Sequence, residues 1–295
     1  MAARPADGAD PLEGLRERLR PFGPPLVLFN KSHSGSRLLA RAFEEAGVFL
    51  GARVNESEDA LPLLDLVHHA VERYYPDYGP LWRDAGARGE LARVAADVFR
   101  RHLEGLEPGS GRPWGWKLCE TAYALPVVDA LFPGARFVHL IRDGRDVAFC
   151  DHVAPKHPFW RKVYFDTAGI TSWGRLSTTQ WGYRLRGPLH NAVHWCNAVR
   201  VGRTYGQMLR ERYHEVRYEE LCGAFEATVG RLFADVGLPA GATARAVERL
   251  GGQVRRDSVG RHAREPGWRV RRVVEVEKPL LVALGYLPPE PGAPV

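Results

Sequence analysis

Residues 29–43, FNKSHSGSRLLARAF, continue the apolar run PLVLF and place cationic and hydroxylic side chains around one glycine. Apolar residues resume at helical spacing after the loop, so a strand, a polar loop and a helix are expected in that order. The N–H groups and the dipole at the start of such a helix bind anions. The loop is not a Walker loop, because Gly35 is followed by Ser36, Arg37 and Leu38 and the GxxxxGK(S/T) pattern is missing. The sequence therefore predicts an anion site and leaves the anion open.

A second candidate anion site lies in RFVHLIRDGRDVAFC, residues 136–150. A buried strand is predicted to end at Arg142, and a turn then opens a helix that carries Cys150. An arginine at the carboxyl end of a parallel strand is well placed to bind a phosphate with its forked guanidinium. The string RDGRD contains both charge signs, so a surface network of arginines and aspartates is the alternative.

The elements expected to position these residues alternate between strands and helices. Strands are predicted at residues 26–30, before Lys117, at 135–141 and at 214–218; helices are predicted at 36–47, within 58–105, after Pro126, at 189–212 and, as a pair, within 219–250. This order predicts an α/β fold in which helices flank a P-loop-like central parallel sheet.

The domain organisation is predicted to be simple. One domain is expected over residues 25–285, preceded by a loose lead-in, residues 1–24, and followed by a tail, residues 286–295. Residues 151–188 are aromatic-rich and aperiodic, so they are predicted to form an insert that serves as a lid or acceptor loop.

Composition narrows the function classes. The 295 residues are 45% hydrophobic and 26% charged, and no stretch approaches the roughly 18 uncharged apolar residues that a membrane span needs. The first residues lack the apolar run of a signal peptide, so a cytoplasmic protein is expected. A net charge of +6 favours anionic partners, but no zinc-finger or RNP pattern points to nucleic acid. The four cysteines show no CxxC spacing and no HExxH motif occurs, so no metal is expected.

The two anion-site motifs together resemble those of the sulfotransferase superfamily that uses 3′-phosphoadenosine 5′-phosphosulfate (PAPS) and releases 3′-phosphoadenosine 5′-phosphate (PAP). The string from His33 to Arg37 is similar to the family's KSGT or RSGT loop, which holds the 5′-phosphosulfate. The string from Arg142 to Cys150 is similar to the family motif R-D/N-P-x-D-x-x-x-S, which holds the 3′-phosphate.

Three further stretches extend the resemblance over about residues 25–268. WGWKLCET and FPGARFVHLIRD resemble segments of bacterial carbohydrate-type members, EVRYEEL resembles the family's VRYEDL, and SVGRHAR resembles its S-x-G-R-x-R loop. The cofactor-binding residues that the resemblance implies are Ser34, Gly35, Ser36, Arg37, Leu38, Arg142, Cys150, Tyr218, Ser258, Val259, Gly260 and Arg261.

Three positions depart from the family pattern: His33 replaces the basic residue before SGT, Gly144 replaces a proline, and Cys150 replaces a serine. The cation that would steady the leaving PAP is therefore left open among His33, Lys31 and Lys117.

The resemblance also implies a general base, either a histidine or a glutamate. Glutamate branches often place it about twenty residues after the first loop, which points to NESED and hence to Glu58 or Glu56. The structural alternative for NESED is a helix cap at Ser57. Glu120 and His152 are further candidates for the base.

The resemblance implies a PAPS-dependent O-sulfotransferase that needs no metal and produces PAP. In-line transfer of the sulfuryl group to a hydroxyl of a glycan or of a glycosylated or other small natural product is expected. A P-loop-like small-molecule kinase is one alternative. A PAP-binding protein with degraded catalysis is the other, and His33 and Cys150 favour it.

Overall fold

A computed structural model of the protein describes residues 10–150, 163 and 180–289, with the side chains of 180–186 left out of the description. Its centre is a parallel sheet of strand order β2-β1-β3-β4. The strands are β1 (Leu26–Asn30), β2 (Gly115–Lys117), β3 (Arg136–Ile141) and β4 (Tyr213–Arg217). Leu28 pairs with both Lys117 and Val138, so the carboxyl ends of the strands meet at one edge of the sheet.

Helices surround this sheet. They are α1 (Pro11–Leu19), α2 (Ser36–Glu45), α3 (Leu61–Tyr74), α4 (Gly79–Arg83), α5 (Ala85–His102), α6 (Leu125–Leu131), α7 (Gly144–Ala148), α8 (Gln180–Leu209), α9 (Tyr218–Gly223), α10 (Phe225–Asp235), α11 (Gly241–Leu250) and α12 (Gly267–Ala283). Short 3-10 turns occur at Arg20–Phe22, Cys119–Tyr123, Arg210–Arg212, Gly251–Gln253, Arg256–Ser258 and Arg261–Arg264. No helix in the described part of the chain is long and apolar enough to span a membrane.

Two apolar clusters cover the two faces of the sheet. Val27 and Phe29 of β1 pack with residues of α1, α3, α5 and α6, whereas Leu26 and Leu28 pack with residues of α2, α10 and α11. Because side chains alternate along a strand, the uniformly buried β1 contributes to both clusters. The predicted fold class, one α/β domain on a central parallel sheet with flanking helices, is confirmed.

The predicted loose lead-in, residues 1–24, is wrong from residue 10 onward, because α1 forms there. The side chain of Asp10 caps the helix by accepting from the backbone N–H of Leu12 at 3.3 Å. Leu12, Leu15 and Leu19 are buried against the core. Their spacing of three and four residues is the helical signal that the sequence prediction overlooked.

The segment 219–250 contains three helices, not the predicted two. A break at Ala224, where φ is −139°, separates α9 from α10, and Gly237, with φ of 70°, ends the run before α11. Tyr218 also begins α9 instead of ending the last strand.

The predicted lid or acceptor loop, residues 151–188, lies largely outside the described residues. Its described part from Gln180 onward belongs to α8. Tyr286, at the start of the predicted tail, donates to Glu219 at 2.8 Å and thus belongs to the packed domain.

Helix α7 packs closely against α8 and α12 at Gly144. A Cβ atom at this position would lie 2.6 Å from ring carbons of Trp195 and 2.7 Å from the Cδ of Glu277. The indole N–H of Trp195 donates to the carbonyl of Arg142 at 3.0 Å and so fixes the end of β3. The close packing of Trp195 and Glu277 against Gly144 leaves no room for the Cβ of a proline, the residue at this position of the similar family motif.

Glu277 should make the stability of the protein depend on pH. Its carboxyl is fully buried and, among the described residues, neither oxygen has a hydrogen-bond partner. Burial, and after it the charge of Asp143, raises the pKa of Glu277 well above its ordinary value of 4.5. Such a group favours the folded state most at low pH, and the free energy of unfolding falls as pH rises from 4.5 towards the raised pKa.

Glu277→Gln should therefore gain stability over the parent as pH rises, by about 1 kcal/mol or more between pH 5 and pH 8. Urea denaturation at both pH values measures it. Glu275→Gln, at an exposed position of the same helix, is the matched control and should show no such difference. An equal effect of Glu277→Gln at both pH values would contradict the argument.

Candidate functional site

A cavity of about 880 Å³ opens where the carboxyl ends of the four strands meet. Its wall includes the loop after β1, Lys117 at the end of β2, Arg142 after β3, Tyr218 after β4 and the segment 253–265. The predicted cofactor-binding residues that line it are Gly35, Ser36, Arg37, Leu38, Arg142, Cys150, Tyr218, Ser258 and Arg261. Sequence motifs more than 200 positions apart thus meet at one site.

Three of the predicted cofactor-binding residues do not line this cavity. Ser34 is buried behind the loop, and its hydroxyl has no hydrogen-bond partner among the described residues. Val259 is 37% exposed to solvent. Gly260 donates its backbone N–H to the Asp146 carboxylate at 2.8 Å.

The loop after β1 leaves the start of α2 open to the cavity. His33 and Gly35 have φ angles of 68° and 86°, which turn the chain sharply before the helix. No side chain caps α2 and its first turn contains no acidic residue. Its first N–H groups and the positive end of its dipole therefore face the cavity without a protein anion.

Arg142 joins the two predicted anion motifs. Its guanidinium donates to the carbonyl of His33 at 3.1 Å and to the carbonyl of Ser258, and it lies 4.7 Å from the centre of the Tyr218 ring. Its Nε–H is buried and has no acceptor among the described residues. Asp146 forms an ion pair with the same guanidinium at 3.5 Å. Arg142 is therefore a cation at the cavity wall with one donor still unsatisfied.

A buried carboxylate holds the segment 256–264 over the cavity. Asp146 is fully buried and accepts hydrogen bonds from the backbone N–H of Gly260 at 2.8 Å and of His262 at 3.0 Å. The His262 ring also lies 2.6 Å from it. Tyr218 adds a hydroxyl contact of 2.7 Å to Ser258. These contacts position Arg261, whose guanidinium donates to the Cys150 sulfur at 3.3 Å.

Lys117 forms an ion pair with Asp59 on the cavity wall. The Lys117 ammonium lies 2.7 Å from the Asp59 carboxylate and donates to the carbonyl of Ser57 at 2.8 Å. Burial alone would lower the pKa of Lys117, but the neighbouring acidic groups, including Cys119 and Asp59, raise it above its ordinary value. Lys117 is therefore a cation at neutral pH.

The acidic residue of NESED that lines the cavity is Asp59. Glu58 and Glu56, the predicted bases, do not line it: the Glu58 carboxylate lies 3.2 Å from the Arg41 guanidinium, and Glu56 is exposed. The turn is set by Asn55, whose side-chain oxygen accepts from the N–H groups of Ser57 and Asp59, at 2.8 and 2.9 Å. Ser57 does not cap a helix, since α3 begins only at Leu61.

The other predicted catalytic residues differ in whether they line the cavity or are buried behind its wall. His33 lines the cavity, whereas Lys31 is buried beneath the loop and contacts Ser32. Glu120 does not line the cavity, and burial raises its pKa to about 7. His152 lies outside the described residues. In the described part of the chain, no three His, Cys, Asp or Glu side chains are grouped as a metal site would require.

Sequence reasoning missed Ser32, Asp59 and Cys119, which line the same cavity. Asp59 is the last residue of NESED, and Cys119 lies within WGWKLCET. Their orientation depends on the turn at Asn55 and on the end of β2, and neither leaves a periodic signal in the sequence.

The model of the sulfotransferase family matches residues 34–241, more than half of the chain. The curated proteins contain no significant match.

Several solved structures of low sequence identity match most of the chain. The sulfotransferase domain of the Synechococcus PCC 7002 olefin synthase is 15% identical, with a TM-score of 0.49 over 98% of this chain and 100% of that one. Sulfotransferase STF9 from Mycobacterium avium is 12% identical, with a TM-score of 0.48 over 93% of this chain and 83% of that one. A sulfotransferase from Alicyclobacillus acidocaldarius is 15% identical, with a TM-score of 0.46 over 89% and 96%.

Gly35→Ala should destabilise the protein. The left-handed conformation costs an alanine about 1–2 kcal/mol, and its Cβ would lie 2.1 Å from the Tyr218 ring. Urea denaturation measures the loss. Gly14→Ala is the matched control, because Gly14 lies in α1 with open space around it, and this change should stabilise by about 0.5–1 kcal/mol. Equal effects of the two substitutions would show that Tyr218 does not restrict the loop.

Proposed function

Because the chain belongs to the sulfotransferase family, we propose that it transfers the sulfuryl group of PAPS to a hydroxyl group of an acceptor and releases PAP. Family membership supports sulfuryl transfer in general. The geometry of the cavity supports the proposed donor and residue roles, and the sequence motifs support the proposed acceptor class.

The carrying observation is that the two anion motifs share one cavity through Arg142. The guanidinium reaches His33 on the loop after β1 and Ser258 on the segment 256–264, yet its Nε–H has no acceptor among the described residues. Buried donors of this kind are costly unless a ligand satisfies them, and phosphate or sulfate oxygens would do so.

The charge of the cavity wall fits a donor with several anionic groups. The cationic lining residues are Arg37, Arg41, Lys117, Arg142, Arg255, Arg261 and Arg264, whereas the carboxylates are Asp59, Asp257 and Glu265. We assign the phosphosulfate to the start of α2 and the 3′-phosphate to Arg142 and Arg261. Cys150 stands at the position of the family serine beside Arg261, where a thiol is a weaker donor than a hydroxyl.

The proposed chemistry is an in-line displacement at sulfur. A new S–O bond forms to the acceptor oxygen while the S–O bond to the phosphate oxygen of the leaving PAP breaks, and the acceptor proton passes to a base. We assign the base to Asp59, because it lines the cavity and Lys117 holds it at 2.7 Å. Glu58 and Glu56, the bases that the sequence pattern favoured, lie away from the lining.

Lys117 and Asp59 are suited to act together. When Asp59 takes the proton, its carboxylate becomes neutral and its attraction for the Lys117 ammonium falls. The ammonium then stabilises negative charge that develops on the other reactants. By analogy with oxyanion donors, such an interaction is worth about 2.7–4 kcal/mol.

The acceptor is proposed to be a glycan or a glycosylated small natural product. The resemblance of WGWK and FPGARF to bacterial carbohydrate-type members supports this class. The aromatic-rich insert that would bind the sugar rings lies largely outside the described residues.

Calorimetric titration with PAP tests the donor. The protein should bind PAP without magnesium, and Arg142→Ala should weaken binding about tenfold or more, because charge-assisted hydrogen bonds are lost. Arg231→Ala is the matched control, since Arg231 is an exposed arginine on α10 and should have no effect. Preference for ATP with magnesium would overturn the sulfotransferase proposal in favour of a kinase.

Asp59→Asn should lower kcat by about 10²–10⁴-fold, the usual contribution of a general base, and leave PAP affinity close to that of the parent. Steady-state sulfation of a screened acceptor gives kcat, and calorimetry gives the affinity. A larger loss in Glu58→Gln than in Asp59→Asn would return the role to the residue that the sequence pattern favoured.

A further inference from the structure

Lys31 is a buried cation without an ionic partner. It follows β1, its side chain is 1% exposed, and no carboxylate forms an ion pair with it among the described residues. Among the described residues, the hydrogen-bond partners of its ammonium are the hydroxyl oxygen of Ser32 at 2.7 Å and the carbonyl of Ser32 at 3.3 Å. Burying an unpaired charge is costly, so its place beneath an anion-binding loop indicates a function.

Ser32 connects this buried cation to the cavity. Ser32 lines the cavity, whereas Lys31 does not. A hydroxyl both accepts and donates, and the Ser32 oxygen already accepts from the Lys31 ammonium. No acceptor for the Ser32 hydrogen is found in the part of the chain that the structure describes. The hydroxyl is therefore oriented with its hydrogen available to a ligand.

We propose that Lys31 is a positioning residue that acts through Ser32: the ammonium orients and polarises the hydroxyl, which donates to an anionic oxygen of the bound phosphosulfate. The inference rests on the proposed function. In this chain the cation that the family carries on its first loop would lie beneath the loop and would act on PAPS through the Ser32 hydroxyl.

The other two candidate cations are placed for different tasks. The Lys117 ammonium is paired with Asp59 and is therefore associated with the base. His33 is in the left-handed region and exposed, and its carbonyl accepts from Arg142. Lys31 and Ser32 together supply a hydroxyl donor within the loop after β1, the loop proposed to bind the phosphosulfate.

The surroundings of Lys31 give the inference a pH signature. Burial lowers the pKa of Lys31 to about 8, against the opposing influence of Cys119, Cys150 and Glu120. The cation is therefore lost as pH rises through about 8 in the free protein. The ratio kcat/KM for PAPS, which reports on the free enzyme, should fall on this alkaline side.

A double-mutant cycle tests the relay. Ser32→Ala and Lys31→Met should each lower kcat/KM for PAPS by about 10-fold to 100-fold. The double variant should lose little more kcat/KM than the more impaired of the two single variants, because both changes remove the same interaction. Ser32→Thr should recover most of the loss in Ser32→Ala, since it restores the hydroxyl. Ser110→Ala, at an exposed serine away from the cavity, is the control for the substitution itself.

Two readouts separate the relay from a structural role. The alkaline fall in kcat/KM near pH 8 should weaken in Ser32→Ala, and Ser32→Thr should restore it. A loss of stability alone would produce neither result. Unchanged kcat/KM in Ser32→Ala, or single losses that multiply in the double variant, would overturn the relay. If the parent binds no PAP and sulfates no acceptor, the proposed function itself fails, which is a different result.

Discussion

The guanidinium of Arg142 is the interaction on which the arrangement of the cavity depends. It follows β3, and it bonds the carbonyl of His33 after β1 and that of Ser258 in the segment 256–264. A parallel sheet brings strand ends to one edge but does not fix the loops that leave them. Here the Arg142 guanidinium fixes two of these segments, because its several N–H groups donate to both. The Trp195 indole N–H in turn donates to the backbone carbonyl of Arg142.

The sequence allowed the sheet to be predicted well, because its signals are local. β1 and β3 are apolar runs ended by polar loops, and both lie within one residue of the predicted bounds. The polar loop after β1 and the string RDGRD could be placed at strand ends for the same reason. The helix α1 gives a weaker signal, because its three buried leucines are spread among charged residues.

The acidic residue on the cavity wall illustrates what sequence reasoning could not decide. Glu58 and Asp59 are adjacent acids, and of the two only Asp59 lines the cavity. The choice depends on Asn55, which binds two backbone N–H groups of the turn, and on the φ of 63° at Glu58. Lys117 then attracts the residue that the turn presents. Such a choice is made by contacts between distant segments, and a periodic pattern does not contain it. The burial of Lys31 beneath Ser32 is likewise a feature that no periodic pattern in the sequence predicts.

The packing of α12 against α7 at Gly144 has a consequence for the synthesis of the chain. The wall of the cavity needs the segment 256–264, and the back of α7 needs Glu277 of α12 against its glycine. Domains generally fold as units during synthesis. Since α12 comes last among the described helices and packs against α7, the sheet edge, with its buried lysine and open helix start, can be completed only after α12 has left the ribosome. Translation up to that helix therefore sets the earliest moment at which the cavity can exist.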